Sequence, residues 1–447
     1  MGAVAIPGCG STTTPSASGT AVGTGTSTAA NLASREFTRS LVTRWDVDPW
    51  SRGSYSAIPA GTASTAREVL ADVLIGGRIA LAGEFTATDY PSTVHGAYNS
   101  GLRAASTIVA EVGADATVTV IGAGIAGLAA AGQLKQAGCA VTVVEARDRV
   151  GGRILTNTDW GVPLEFGAAW VHGVEGNPLV PLVERAGLTL APTDFDDAEV
   201  HSYATGEPSA GAEAAATELI DEVDSLAEQR LPAASSVQEV LADVGWRPDT
   251  ADRRFAASTE IVQEYGLDID RLGAQALTEG EEYRGGDALV VGGFAKVPEM
   301  MAGGLDVRLS TPVTDLALGA DGVTVTTAGG TTRTDAVIIA IPLPLLQAGF
   351  PSLQFPADVT AALAGLTTGN LEKVFLQYDA PWWPQVQVLQ VSDTPHQRWT
   401  EFYPLVALTG QPIVVGFAGG SAATTRPPSD AECAAEAADV LSRAYPA

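Results

Sequence analysis

Gly122-Ala123-Gly124-Ile125-Ala126-Gly127 is a stretch of this chain whose residue types and spacing point directly at chemistry. Gly122 permits a tight turn, Gly124 lets the backbone approach a pyrophosphate, and Gly127 lets a helix pack closely on a strand. Ile125 and Ala126, at the start of that helix, belong to the same cradle. Glu145 follows 18 residues after Gly127, where a carboxylate at a strand end accepts ribose hydroxyls. Together these residues predict a dinucleotide site; the plainer alternative is a glycine-rich packing turn.

The flanking pattern supplies the elements that such a site needs. Residues 118–121 read as a buried strand, 125–137 as a helix stopped by Gly138, and 141–145 as the next strand, a βαβ start. Residues 177–282 are largely helical by pattern. Within them, 212–229 is the clearest helix, with Leu219, Ile220, Val223 and Leu226 on one side. Strands return at 289–291, 307–309, 323–327, 337–341, 371–378 and 412–417, and a helix closes the chain over 431–444.

With 447 residues, the chain is long enough for two or three domains with cores of their own. Its 52 acidic and 25 basic residues leave a net charge of −27, which argues against nucleic-acid binding and favours drawing cations into a cleft. Three cysteines and four scattered histidines show no metal-ligand spacing, so no metal site is expected. Residues 116–134 carry no charge before Lys135. Their glycine-rich centre reads as strand, turn and helix rather than as a membrane span.

Residues 10–33 are rich in Ser, Thr, Gly, Ala and Pro and read as a flexible tether. Ahead of them, Ala5-Ile6-Pro7-Gly8-Cys9 loosely resembles a bacterial lipobox, although no basic region or adequate apolar stretch precedes it. That resemblance implies a lipid anchor at Cys9 and an extracytoplasmic, membrane-anchored protein. A chance Gly-Cys in a cytoplasmic protein is the alternative.

Glu145-Ala146-Arg147-Asp148-Arg149-Val150-Gly151-Gly152-Arg153 resembles the extended FAD fingerprint of the flavin monoamine/polyamine oxidase family. The likeness to its spermine-oxidase-like members covers nearly the whole chain after residue 34. Glu165-Phe166-Gly167-Ala168-Ala169-Trp170-Val171-His172-Gly173 resembles the segment that passes the isoalloxazine. Gly292-Gly293-Phe294, Thr311-Pro312-Val313 and Ile338-Ile339-Ala340-Ile341-Pro342 resemble the second FAD block, with Val313 at the adenine position. Asn370-Leu371-Glu372-Lys373-Val374-Phe375, followed by Trp382-Trp383, resembles the strand that carries the family's active-site lysine. The fold implied is α/β: a Rossmann-like FAD domain of glutathione-reductase type plus an α+β substrate domain. The expected division is 34–180 with 287–345 for FAD, and 181–286 with 346–447 for substrate.

One part of the resemblance is out of order. Trp45-Asp46-Val47-Asp48-Pro49, Gly53-Ser54-Tyr55-Ser56, Gly83-Glu84 and Tyr90-Pro91-Ser92-Thr93-Val94-His95-Gly96-Ala97-Tyr98 resemble the family's C-terminal end, yet precede the glycine loop. The expectation is a circular permutation, with the family ends joined near 112–116 and new termini between 447 and 34. It requires residues 35–110 to pack against 116–180 around one flavin.

The activity implied is oxidation of an amine by hydride transfer to FAD, with O2 reduced to hydrogen peroxide and the imine hydrolysed to aldehyde and amine. Lys373, one of three lysines with Lys135 and Lys296, matches the lysine that holds a water at flavin N5. Tyr55 matches one wall of an amine-orienting cage, whose other wall is here Thr93 rather than a tyrosine. Ser54 stands where a cysteine would bond to FAD, so the flavin is expected to be non-covalent. Glu84, Ala146, Arg147, Gly152, Arg153, Gly167, Ala168, Ala169, Trp170 and Thr93 are implied cofactor contacts, and His172 a contact to a polyamine nitrogen. The acidic run Glu279-Gly280-Glu281-Glu282-Tyr283 offers carboxylates to a cationic substrate, or is a solvated loop. Two other readings stay open. One is an L-amino-acid oxidase, with Arg284 or Arg398 as carboxylate partner; the other is a flavin-binding protein without turnover.

Overall fold

The computed structural model describes residues 35–281 and 283–446. Cys9 and the 10–33 stretch lie outside them. Two six-stranded sheets organise the chain. The first runs in the order Asp306–Arg308, Ala140–Val144, Thr117–Ile121, Ala336–Ile339, Ile79–Leu81, Leu74–Ile75, and is parallel except at its last pair. Val118, Val120 and Ile338 of its centre are at most 1% exposed, so each contributes about 1.5–3 kcal/mol by leaving water.

The long helix Val94–Val112 and the glycine-loop helix Ile125–Gln136 pack on this sheet. They come so close that a Cβ on Gly101 would sit 2.1 Å from the carbonyl oxygen of Ala126. The early segment is thus built into the dinucleotide half. Its strand Ile79–Leu81 pairs with Ala336–Ile339, and residues 113–116 join the Val94–Val112 helix to the Thr117–Ile121 strand.

The second sheet has the order Arg39–Val42, Leu371–Gln377, Ile413–Gly419, Glu401–Pro404, Val388–Ser392, Ala198–Ser202. Its strands are antiparallel until the last pair. Here the structure departs from the expected division. Residues 39–42, assigned to the FAD side, form the edge strand beside the lysine strand, where the closing helix Asp430–Ala444 covers them. The segment 177–282 also differs from its largely helical reading: strands Thr189–Pro192 and Ala198–Ser202 interrupt it, each recruited by a partner distant in sequence. The helix read over 212–229 spans Ala210–Ala227 and buries Leu219, Val223 and Leu226, while Ile220 faces the central cavity. Among the described residues no helix is long and apolar enough to cross a membrane.

The two ends of the described chain meet. Arg35 Nη1 donates to the carbonyl oxygens of Tyr445 at 2.8 Å and Ser442 at 3.3 Å.

Candidate active site

A cavity of about 1540 Å³ runs between the two sheets. Ordinary small-molecule pockets hold about 300–1,000 Å³, so this one has room for a dinucleotide and a second molecule.

Its dinucleotide end is built from the glycine loop. Gly122 has φ +103°, and a Cβ there would meet the Ala340 carbonyl oxygen at 2.5 Å. Gly124 has nothing within 4 Å of its Cβ position, leaving open space beside the backbone. Gly127 does not face the cavity. It lies behind the loop, where a Cβ would stand 1.9 Å from the Gly122 carbonyl oxygen, so its part is to let the helix start there. The Glu145 carboxylate accepts from the N–H groups of Ala123 at 2.7 Å and Arg147 at 2.8 Å, which fixes it at the cavity wall. Ile125, Ala126, Ala146, Gly152, Gly167, Ala168, Ala169 and Val313 line the same space.

A network of charges follows, with Glu84 and Arg67 buried and Arg153 and Glu279 partly buried. Arg153 Nη1 donates to Glu84 Oε1 at 2.8 Å and to the Ser54 carbonyl at 2.9 Å. Ser56 Oγ donates to Glu84 Oε2 at 2.5 Å and accepts from Arg67 Nη1 at 2.6 Å. Burial pushes the Glu84 carboxyl upward, but Arg153, Arg67 and Ser56 outweigh it and hold the group below the usual carboxylate range. Arg67 also pairs with Glu279, so this carboxylate of the acidic run is engaged rather than free to draw in a cation. Thr93 caps the helix Val94–Val112, its Oγ1 accepting from Gly96 N at 3.0 Å, which directs that helix N-terminus at the cavity.

Lys373 sits at the junction of the two halves. Its Nζ donates to the carbonyl oxygens of Glu165 at 2.9 Å and Gly167 at 2.6 Å. Burial lowers its pKa to about 8 against the opposing pull of Glu165, so a substantial fraction is neutral near physiological pH. Tyr55 lines the cavity, and its hydroxyl donates to the Gln263 carbonyl at 2.6 Å. Trp170 is pinned by its Nε1 bond to Thr193 Oγ1 at 3.0 Å. His172, half exposed on the cavity wall, pairs its Nδ1 with Asp287 at 2.7 Å. Of the two arginines held open for a substrate carboxylate, Arg398 is buried away from the cavity in two 2.7 Å bonds to Glu436, and Arg284 lies exposed on the cavity wall.

Residues that no motif announced complete the wall. In the second sheet Lys373 pairs with Phe417, Phe417 with Glu401, and Glu401 with Gln390. All four line the cavity, forming one row across four adjacent strands. At about 4.8 Å per strand, Glu401 stands roughly 10 Å from Lys373. Burial pushes its carboxyl up to about 8, opposed by the 2.8 Å bond from Gln390 and assisted by the charge of Glu260. Glu260 comes from the single π-turn Ser258–Val262, and burial raises it to about 7. Two carboxyls therefore share the cavity, and among the described residues no basic side chain is hydrogen-bonded to either. No sequence signal marked Glu401, since its strand Glu401–Pro404 was not read from the sequence.

The model for flavin containing amine oxidoreductases matches residues 30–109 and 125–447. The chain belongs to this family. A second model, for pyridine nucleotide-disulphide oxidoreductases, matches residues 85–159, across the glycine loop. Probable polyamine oxidase 4 of Arabidopsis thaliana is 32% identical over 336 residues, 69% of this chain and 67% of that protein. Polyamine oxidase 4 of Oryza sativa subsp. japonica is 32% identical over 340 residues, 70% and 69% respectively. A solved structure of a redesigned putrescine oxidase superposes with a TM-score of 0.60 at 26% identity, covering 74% of this chain and 81% of that one. This flavin amine oxidoreductase is an α/β enzyme whose cofactor is FAD. The glycine cradle, Glu145 and the Arg153–Glu84 pair fit that cofactor, and bound FAD supplies the two-electron acceptor.

Proposed function

We propose that the enzyme oxidises a slim aliphatic diamine or polyamine at a carbon beside one nitrogen. The observation that carries this reading is the Lys373–Phe417–Glu401–Gln390 row, which sets a buried carboxyl at a fixed distance from the ammonium-bearing end of the cavity. An unpaired buried carboxylate is costly, and a substrate ammonium offsets that cost. Glu401 and Glu260 then hold the distal nitrogen while Phe417 and Trp170 flank the methylenes. Tyr55 faces the reacting nitrogen, and the small side chain of Thr93 leaves the site open for a secondary amine. The relatives named as polyamine oxidases and the neighbour named as a putrescine oxidase support the same class.

Lys373, held by two carbonyls and partly neutral, positions a water and passes its proton. The helix Val94–Val112 directs its positive N-terminal end into the cavity, where it would favour negative charge on bound FAD. The flavin is held without a covalent bond, since Ser54 Oγ instead bonds the Leu371 carbonyl at 3.0 Å. A peroxide-coupled screen of putrescine, spermidine, spermine, benzylamine and L-amino acids tests the reading. Turnover of the first three is expected to exceed the rest; preference for benzylamine or an amino acid, or no turnover at all, rejects it. The amino-acid arm matters because Arg67 Nη2 is buried beside the cavity without a partner among the described residues.

We also propose that the chain order is a circular permutation of the family's. In support, the family model matches in two separate stretches, the early segment packs into both sheets, and Arg35 bonds the Tyr445 carbonyl. Location follows the reading of Cys9 as an acylated residue, tested by mass spectrometry of the native protein.

A further inference from the structure

Behind the row of cavity-lining residues lies a second, smaller space of about 50 Å³. Roughly 10–15 Å³ of such space holds one water-sized guest. Lys373, Trp170, Tyr403 and Phe417 line both spaces and form the partition between them. The rest of the wall is mainly aliphatic: buried Leu405 and Val415 inward, and half-buried Leu408 and Pro163 toward the surface. Its few polar side chains are already engaged. Glu165 accepts from Phe294 N at 2.9 Å and Thr156 Oγ1 at 2.7 Å, Thr409 donates to the Leu405 carbonyl at 2.7 Å, and Lys373 to its two carbonyls. Water in the chamber finds little to bond, since the one carboxylate of its wall, Glu165, is already hydrogen-bonded on both oxygens. A small apolar molecule suits it.

We propose that this chamber is the dioxygen site of the enzyme, admitting O2 from the Leu408–Pro163 side to the partition at Lys373. The inference rests on the oxidase reading above. The amine loses two electrons and two protons, one from C–H and one from N–H; dioxygen takes both pairs to become hydrogen peroxide, so the imine and peroxide balance the amine and O2. Amine and dioxygen then use different doors, and product need not leave the large cavity before the oxidant arrives.

The test fills the chamber from each end, with Leu408→Trp and Val415→Phe, in FAD-loaded enzyme followed by stopped-flow absorbance. Anaerobic reduction by putrescine is expected at the wild-type rate, whereas reoxidation by O2 falls on the order of tenfold in its second-order rate constant. Unchanged reoxidation in folded, FAD-loaded variants overturns the chamber's role. Failure of wild type to be reduced by any amine overturns the oxidase reading instead. Should both variants misfold, wild-type crystals pressurised with xenon decide: xenon density in the chamber is expected, and its absence there overturns the proposal.

Discussion

The Nζ of Lys373 donates to the Gly167 carbonyl at 2.6 Å, tying the second sheet to the loop 166–169 on the cavity wall. Its two carbonyl bonds and its lowered pKa underlie the proton relay proposed for it. Lys373→Met is therefore expected to slow flavin reduction or reoxidation about 100-fold or more. In wild type, kcat/KM should rise with pH through about 8 as the ammonium loses its proton. Stopped-flow rates across pH 6–10 check both, and the limb near 8 should vanish in the variant.

Glu401→Gln removes the charge proposed to hold the distal nitrogen. KM for putrescine should rise roughly 30-fold or more, since an unpaired buried charge costs about 2 kcal/mol or above. A monoamine of the same length should be affected far less. A parallel loss for both would place Glu401 in a structural role.

Three carboxyls with raised pKa values also bear on stability. Glu260, Glu372 and Glu401 have folded pKa values raised to about 7, 7 and 8, well above those of the unfolded chain. Between pH 6.5 and 8 the native state binds more protons than the unfolded state, so stability falls as pH rises. His95, held near 3 by burial, opposes this near the lower end of the window and Lys373, lowered to about 8, near the upper end, but the three carboxyls outweigh both. Thermal melts of the FAD-bound enzyme should drop across that window, and putrescine should reverse the drop.

Much of the dinucleotide end was legible because it is written in contiguous motifs whose glycines answer local demands: positive φ at Gly122, close approach at Gly127. Thr93 and Lys373 were legible for the same reason, each inside a recognisable run. Glu260, Glu401 and Tyr403 were not, since their convergence depends on cross-strand register and on a π-turn that no residue type announces. The Arg67–Glu279 pair joins residues 212 apart, and nothing near either one foretells the other. Arg39–Val42 was assigned to the FAD side with no strand read there, because its strand partner is fixed only by the far end of the chain.

Arg153→Ala breaks the bond to Glu84 and leaves that carboxylate buried beside the cofactor. A charge-assisted bond of about 1.5–3 kcal/mol predicts FAD binding weakened roughly 10- to 150-fold. Flavin absorbance remaining after gel filtration measures it. In wild type, acid precipitation should leave the yellow colour in solution.

A chain rearranged to begin at Ala114 and end at Gly113, with 446 joined to 35 through a short Gly/Ser linker, should fold and retain FAD. Only the 113–114 bond is opened, in the loop between the Val94–Val112 helix and the Thr117–Ile121 strand. A rearranged chain that cannot bind FAD counts against the permutation.

The early segment is made first on the ribosome but belongs to partners made last. Arg39–Val42 must wait for Leu371–Gln377, and Ile79–Leu81 for Ala336–Ile339. Neither half can therefore mature during translation; the nascent polypeptide carries exposed strand edges until most of its length has emerged, which makes this enzyme a natural client for chaperones.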